Sequence, residues 1–116
     1  MTPTRKQAWT DLCSAAEVPA EGGRYVTHGN RALAVFRVPG GIGGESFRVM
    51  DDACPHAGGS LSAGTLEQQM YDGVCVVCPW HGWAFDVHDG TCPDNEAIRV
   101  RVSEARVVDG RVQARL

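Results

Sequence analysis

Two short ligand pairs limit what this chain can become. Cys54-Pro55-His56 and Cys78-Pro79-Trp80-His81 stand on either side of residues 57–77, and each lies in a Pro- and Gly-rich turn. If both pairs serve one metal centre, the fold must present two loops that grip it together. Two thiolates and two imidazoles suit tetrahedral zinc, or a 2Fe-2S cluster in which two His replace two Cys on one iron. Spacing helps to choose. Zinc pairs usually leave at least two residues between ligands, whereas only Pro55 separates Cys54 from His56. That favours each loop giving its Cys to one iron and its His to the other. Gly58, Gly59 and Gly82 follow the pairs directly, and they fit loops whose backbone N–H groups must come close to inorganic sulfide.

These residues resemble the two cluster-binding loops of the Rieske family, whose motif is Cys-x-His, an intervening hairpin and Cys-x-x-His. The flanks match as well, with Ala57-Gly58-Gly59 after the first pair and Gly82-Trp83-Ala84-Phe85-Asp86 after the second. The resemblance implies that Cys54, His56, Cys78 and His81 hold one Rieske-type 2Fe-2S cluster. The spacer is a few residues longer than is usual in the family, which puts the extra length at the hairpin tip, residues 67–73.

A chain of 116 residues with 43% hydrophobic residues has material for one domain with a modest core. The net charge of −3, with Lys and Arg scattered, argues against nucleic acid or an anionic membrane as the main partner. The first residues have no apolar h-region and no stretch is long enough to span a bilayer, so a soluble cytoplasmic protein is expected. Five Cys without a secretory signal point to thiols and metal ligands rather than a disulfide framework.

The pattern along the chain is of short strands and Gly-rich turns, which predicts an all-β domain. Residues 9–13 read as a first strand with Trp9 and Leu12 in the core, and Ala15-Ala16-Glu17 as one helical turn. Residues 24–28 and 31–37 flank the hairpin signal Gly29-Asn30, with His28 a surface histidine beside it. Residues 39–44 form a breaker-rich tip and 47–50 the strand that delivers the chain to Cys54. Strands over 70–77 and 83–87 enter and leave the second ligand loop, and His88-Asp89-Gly90-Thr91 is a turn. Alternation of Ile98, Val100 and Val102 against Arg99 and Arg101 predicts one half-buried strand. Val107 and Val108, Asp109-Gly110, then Val112, Ala114 and Leu116 give a closing hairpin. Pattern alone stops at a β-sandwich or barrel; the Rieske resemblance implies an antiparallel β-sandwich base with an inserted cluster-binding subdomain over about residues 52–93.

The remaining cysteines read as thiols. On a strand Val74 to Val77, Cys75 points away from Cys78, which favours packing in an apolar layer over a CxxC metal or redox pair. Cys13 and Cys92 have no partner spacing. Thr91-Cys92-Pro93-Asp94 falls where the family has a proline-containing loop over its cluster.

A cluster with two neutral ligands carries less negative charge than one with four thiolates and is easier to reduce. High-potential members of the family add a Cys to each loop, a Ser and a Tyr. Here the corresponding residues are Gly59 and Trp80 for the Cys, Trp83 for the Ser and Phe85 for the Tyr. Fewer hydrogen bonds to sulfur predict a potential near the bottom of the Rieske range, about −150 mV. The low-potential type implies a soluble ferredoxin without a small-molecule substrate of its own. It would take electrons from an NAD(P)H-dependent flavoprotein reductase and pass them to a terminal oxygenase. His56 and His81 would form the exit, with Pro55, Pro79, Trp80 and Pro93 as an apolar docking patch. Two alternatives stay open: the Rieske-like small subunit of an assimilatory nitrite reductase, and a zinc-bound or metal-free interaction module. A terminal oxygenase component needs a further domain with a 2-His-1-carboxylate iron site, and only His28 and His88 remain for it.

The ligands themselves make one prediction. Adding an electron beside a ligating imidazole disfavours loss of its outer proton, so the midpoint potential is expected to fall as pH rises through the alkaline range. Protein-film voltammetry against pH would check this, and a potential flat up to unfolding would count against His ligation.

Overall fold

In the computed structural model the described residues are 9–20, 22–38, 46–54, 59–68, 74–79, 82–93 and 95–116. The fold is built outward from one strand that has no solvent face. Arg31–Val38, β3, carries Leu33-Ala34-Val35-Phe36, all fully buried, as a continuous apolar run predicts. Leu33 and Val35 pack on one side with Cys13, Val18, Val49, Val112 and Ala114. Ala34, Phe36 and Val38 pack on the other with Met50, Leu61, Val76, Phe85 and Val87. One strand thus serves two cores, and each large side chain in it contributes roughly 1.5–3 kcal/mol of burial.

The first core lies inside an antiparallel base. Its strands are β1 (Trp9–Ser14), β2 (Gly23–His28), β3, β4 (Ser46–Asp51), β10 (Val102–Val108) and β11 (Arg111–Arg115), paired in the order β1-β11-β10-β4-β3-β2. The halves β1-β11-β10 and β4-β3-β2 face each other across that core, joined by the short β10–β4 ladder at Val102–Met50 and Ser103–Val49. The second core lies between the base and a separate sheet in the order β5-β6-β7: Thr65–Gln68, Val74–Val77 and Ala84–Asp86. A two-stranded ribbon, β8 (Thr91–Cys92) and β9 (Asn95–Arg99), follows. The all-β expectation holds, with a sandwich base as one folded sheet.

Both hairpin signals are used. Gly29-Asn30 joins β2 to β3, and Asp109 (φ 50) with Gly110 (φ 77) gives the two left-handed positions of a type I′ turn between β10 and β11. Ala15–Glu17 is a short 3-10 helix closed by a capping box between Ser14 and Glu17. The tip over 39–44 and residues 70–73 lie outside the described residues.

Two expectations need correction. Residues 98–102 keep the predicted alternation of burial, yet they do not form one strand. The Val100 N–H donates to Gly90 O (2.9 Å) and Arg101 O accepts from the Asp51 N–H (2.9 Å), so the chain changes sheets between these residues. Trp9 is half-buried rather than core. It sits on an edge strand, where the guanidinium carbons of Arg106 and Arg115 lie 4.2 and 4.8 Å from its ring centroid, a cation–π cover in place of an apolar one.

Gly64 lets the second core close. A Cβ there would lie 2.2 Å from the carbonyl oxygen of Val77, the residue before Cys78. Gly64→Ala is therefore expected to lower unfolding stability by about 1–3 kcal/mol, measured by chemical denaturation. An unchanged midpoint would mean that Val77 can retreat from the added methyl group.

Candidate metal centre

Each predicted ligand loop grows from a hairpin root, and the two roots are alike. In the first, Asp52 N–H donates to Ala32 O (3.0 Å), Leu61 N–H to Asp52 O (2.7 Å), Ala53 bridges Ser60, and Cys54 N–H donates to Gly59 O (2.8 Å). In the second, Val77 pairs with Ala84 and Cys78 N–H donates to Trp83 O (2.7 Å). Both cysteines thus bond to the carbonyl of the fifth residue on, and each bond encloses a stretch that contains one of the histidines, 55–58 or 79–82. In the second loop Gly82, at φ 72, also donates to Cys78 O (3.1 Å).

Cys54 and Cys78 are 2% and 1% exposed and belong to the same apolar core. Their sulfurs therefore lie at the dry root of each loop, where soft thiolate donors suit iron or zinc. His56 and His81 lie outside the described residues, as do Pro55 and Trp80. Half of the predicted ligand set is thus placed in one core, and its donor chemistry fits a metal–sulfur centre.

The first root depends on residues that the sequence reading missed. Asp52 is buried, and its carboxylate accepts from Ser60 Oγ (2.7 Å) and from the Ser62 N–H (2.8 Å). It ties both sides of the loop together two residues before Cys54. Its neighbour Asp51 is half-exposed and paired with Arg31 at 2.7 Å. Arg48 fixes the exit of the second loop, donating to Val87 O (3.4 Å) and His88 O (3.2 Å). The consecutive pair Asp51-Asp52 after an apolar strand was the available signal, since a buried second aspartate needs local donors.

The positions that carry extra polar groups in the high-potential type are apolar here. Phe85 is fully buried in the second core, Trp83 is half-buried against it, and Gly59 uses its carbonyl on Cys54. Cys92 is buried in that core beside exposed Pro93. Cys75 is fully buried but belongs to neither apolar cluster of described residues, consistent with its facing away from Val74, Val76 and Cys78. Cys13 lies in the base core, where burial raises its thiol pKa above the usual value. His28 and His88 are exposed, as expected of turn histidines.

Comparison with known proteins agrees with this geometry. Residues 8–107 match the model of the Rieske [2Fe-2S] domain. Ferredoxin CarAc of Metapseudomonas resinovorans is 35% identical over 108 residues, covering 91% of this chain and 92% of that protein. Cholesterol 7-desaturase nvd of Hemicentrotus pulcherrimus is 31% identical over 94 residues, but this chain spans only 18% of its length. Among solved structures, a Mycobacterium tuberculosis chain described as the small subunit of an NADH-dependent nitrite reductase superposes with a TM-score of 0.80 at 28% identity, covering 93% and 94% of the two chains. The complex of reduced oxygenase and oxidized ferredoxin in carbazole 1,9a-dioxygenase gives 0.73 at 32% identity, with 94% of each chain covered. The chain belongs to the Rieske [2Fe-2S] domain family, and its cofactor is one Rieske-type 2Fe-2S cluster.

Proposed function

We infer that this chain is a ferredoxin-type one-electron carrier, one domain over 1–116 with its cluster-binding subdomain over about 52–93. It receives electrons from an NAD(P)H-dependent flavoprotein reductase and passes them to a terminal oxygenase. The observation that carries this reading is end-to-end likeness to a ferredoxin: the 35% identity to CarAc spans 92% of that protein. The cytoplasm suits it, because no disulfide forms among the described residues and all five cysteines are buried. No helix among the described residues is long and apolar enough to cross a membrane.

When bound, the cluster supplies reversible one-electron chemistry. Cys54 and Cys78 would hold one iron from the dry loop roots, and His56 and His81 the other from the enclosed stretches. This division would keep the thiolate side away from water and leave electron exchange to the histidine side. Pro79 and Pro93 are exposed and would belong to the apolar rim on which a partner docks. Asp52 is a positioning residue, because it holds the root of the first loop without being a ligand.

A second reading is favoured by one observation, the TM-score of 0.80 to the nitrite reductase small subunit chain. Retention of both Cys/His pairs, with Cys54 and Cys78 buried together, favours the cluster-bearing carrier.

The protein purified without oxygen should be red-brown, hold two irons and two sulfides, and give a Rieske-type EPR signal only when reduced. Its midpoint should lie near −150 mV. A colourless protein that stays so after reconstitution, or one that holds zinc, would overturn the reading, and a midpoint above roughly +100 mV would overturn the low-potential assignment. Asp52→Ala should cost about 2 kcal/mol of stability and speed iron release to a chelator. Asp52→Asn, which can still accept from Ser62 N–H, should do both less; equal release rates in all three proteins would show that Asp52 does not position the loop.

A further inference from the structure

The ladder between β4 and β10 ends at Ser103–Val49. The next residues along each strand, Arg48 and Glu104, carry no ladder pairing to each other and line an open groove of about 790 Å³. Arg99 at the end of β9, Arg101 just before β10 and His88 in the turn after β7 border it. Arg99 also borders the hollow beside Pro93, and Arg101 the hollows toward Arg31.

Positive charge in this groove is under-compensated. Arg48 donates only to the carbonyls of Val87 and His88 among the described residues. Arg101 lies 4.0 Å from Asp51, whose carboxylate is already held by Arg31 at 2.7 Å. Among the described residues Arg99 has no carboxylate within ion-pair distance. Of the groove's own acids, Glu104 pairs with Arg115 at 3.2 Å, outside the groove. Asp89 accepts from the hydroxyl (2.7 Å) and N–H (3.0 Å) of Thr91, which together with the nearby charge of Arg99 hold its carboxyl below the usual range. Its one charge offsets part of that of Arg99 and leaves an excess on the three arginines. In a chain of net charge −3, this concentrates an attractive field for anions at one place.

We propose that the groove docks an extended, carboxylate-rich segment of a protein partner, laid along the parted edges of β4 and β10 with its carboxylates on Arg48, Arg99 and Arg101. The parted edges can bond an extended backbone, as in strand addition, and the guanidinium groups select acidic side chains. A partner held there also touches the turn after β7, which Arg48 ties to β4. That the partner is a redox protein rests on the carrier reading; the docking itself does not.

The test is a fluorescence-anisotropy titration of cluster-loaded protein with a short fluorescein-labelled oligo-glutamate peptide at low salt. The peptide should bind, and Arg99→Glu and Arg101→Glu should each weaken binding by about tenfold or more. Arg24→Glu, the same change in charge on exposed β2, should weaken it by less than about twofold. Equal weakening by all three, no binding, or displacement by equimolar inorganic phosphate would overturn the proposal. EPR of the same samples reads the cluster separately, so failure of the groove and failure of the carrier reading remain distinct.

Discussion

The double burial of β3 is the constraint on which the rest of the structure depends. A strand with apolar residues on both faces is stable only if both faces are covered, so the chain must build two cores and not one. The base covers the first face. The second face needs the β5-β6-β7 sheet, and that sheet has the second ligand loop as its β6–β7 connection. The first loop leaves from β4, the immediate neighbour of β3. The same packing brings Cys54 and Cys78, the predicted ligand cysteines, into one apolar core.

Much of this was legible in the sequence because residue type determined it. Gly29-Asn30 and Asp109-Gly110 specify tight hairpins through backbone conformations that few other residues adopt. The run from Leu33 to Phe36 is apolar at every position, so burial on both faces could be expected. The Cys/His pairs identified the family through ligand chemistry and spacing.

What was not legible depends on partners distant in sequence. Asp51 and Asp52 are chemically identical, yet one is a half-exposed ion-pair partner and the other a buried acceptor for Ser60 and Ser62. Only the direction in which each side chain leaves the end of β4 separates them. The break between Val100 and Arg101 is hidden for a similar reason, because alternation continues unbroken while the hydrogen-bond partners change from Gly90 to Asp51. Trp9 shows that a large aromatic residue on an edge strand can be covered by arginines instead of apolar side chains.

The closing bonds of the two loop roots also restrict which amides can face a cofactor. Cys54 and Cys78 direct their own N–H groups at the carbonyls of Gly59 and Trp83, and Gly82 directs its N–H at Cys78. The residue after each cysteine is proline, which has no N–H to give. In each enclosed stretch the first residue thus offers a cofactor no N–H, and in the second the N–H of Gly82, the last, is already engaged. A centre held between these loops can therefore draw on fewer amide dipoles than the loops have residues, and among substitutions only a further proline would remove another.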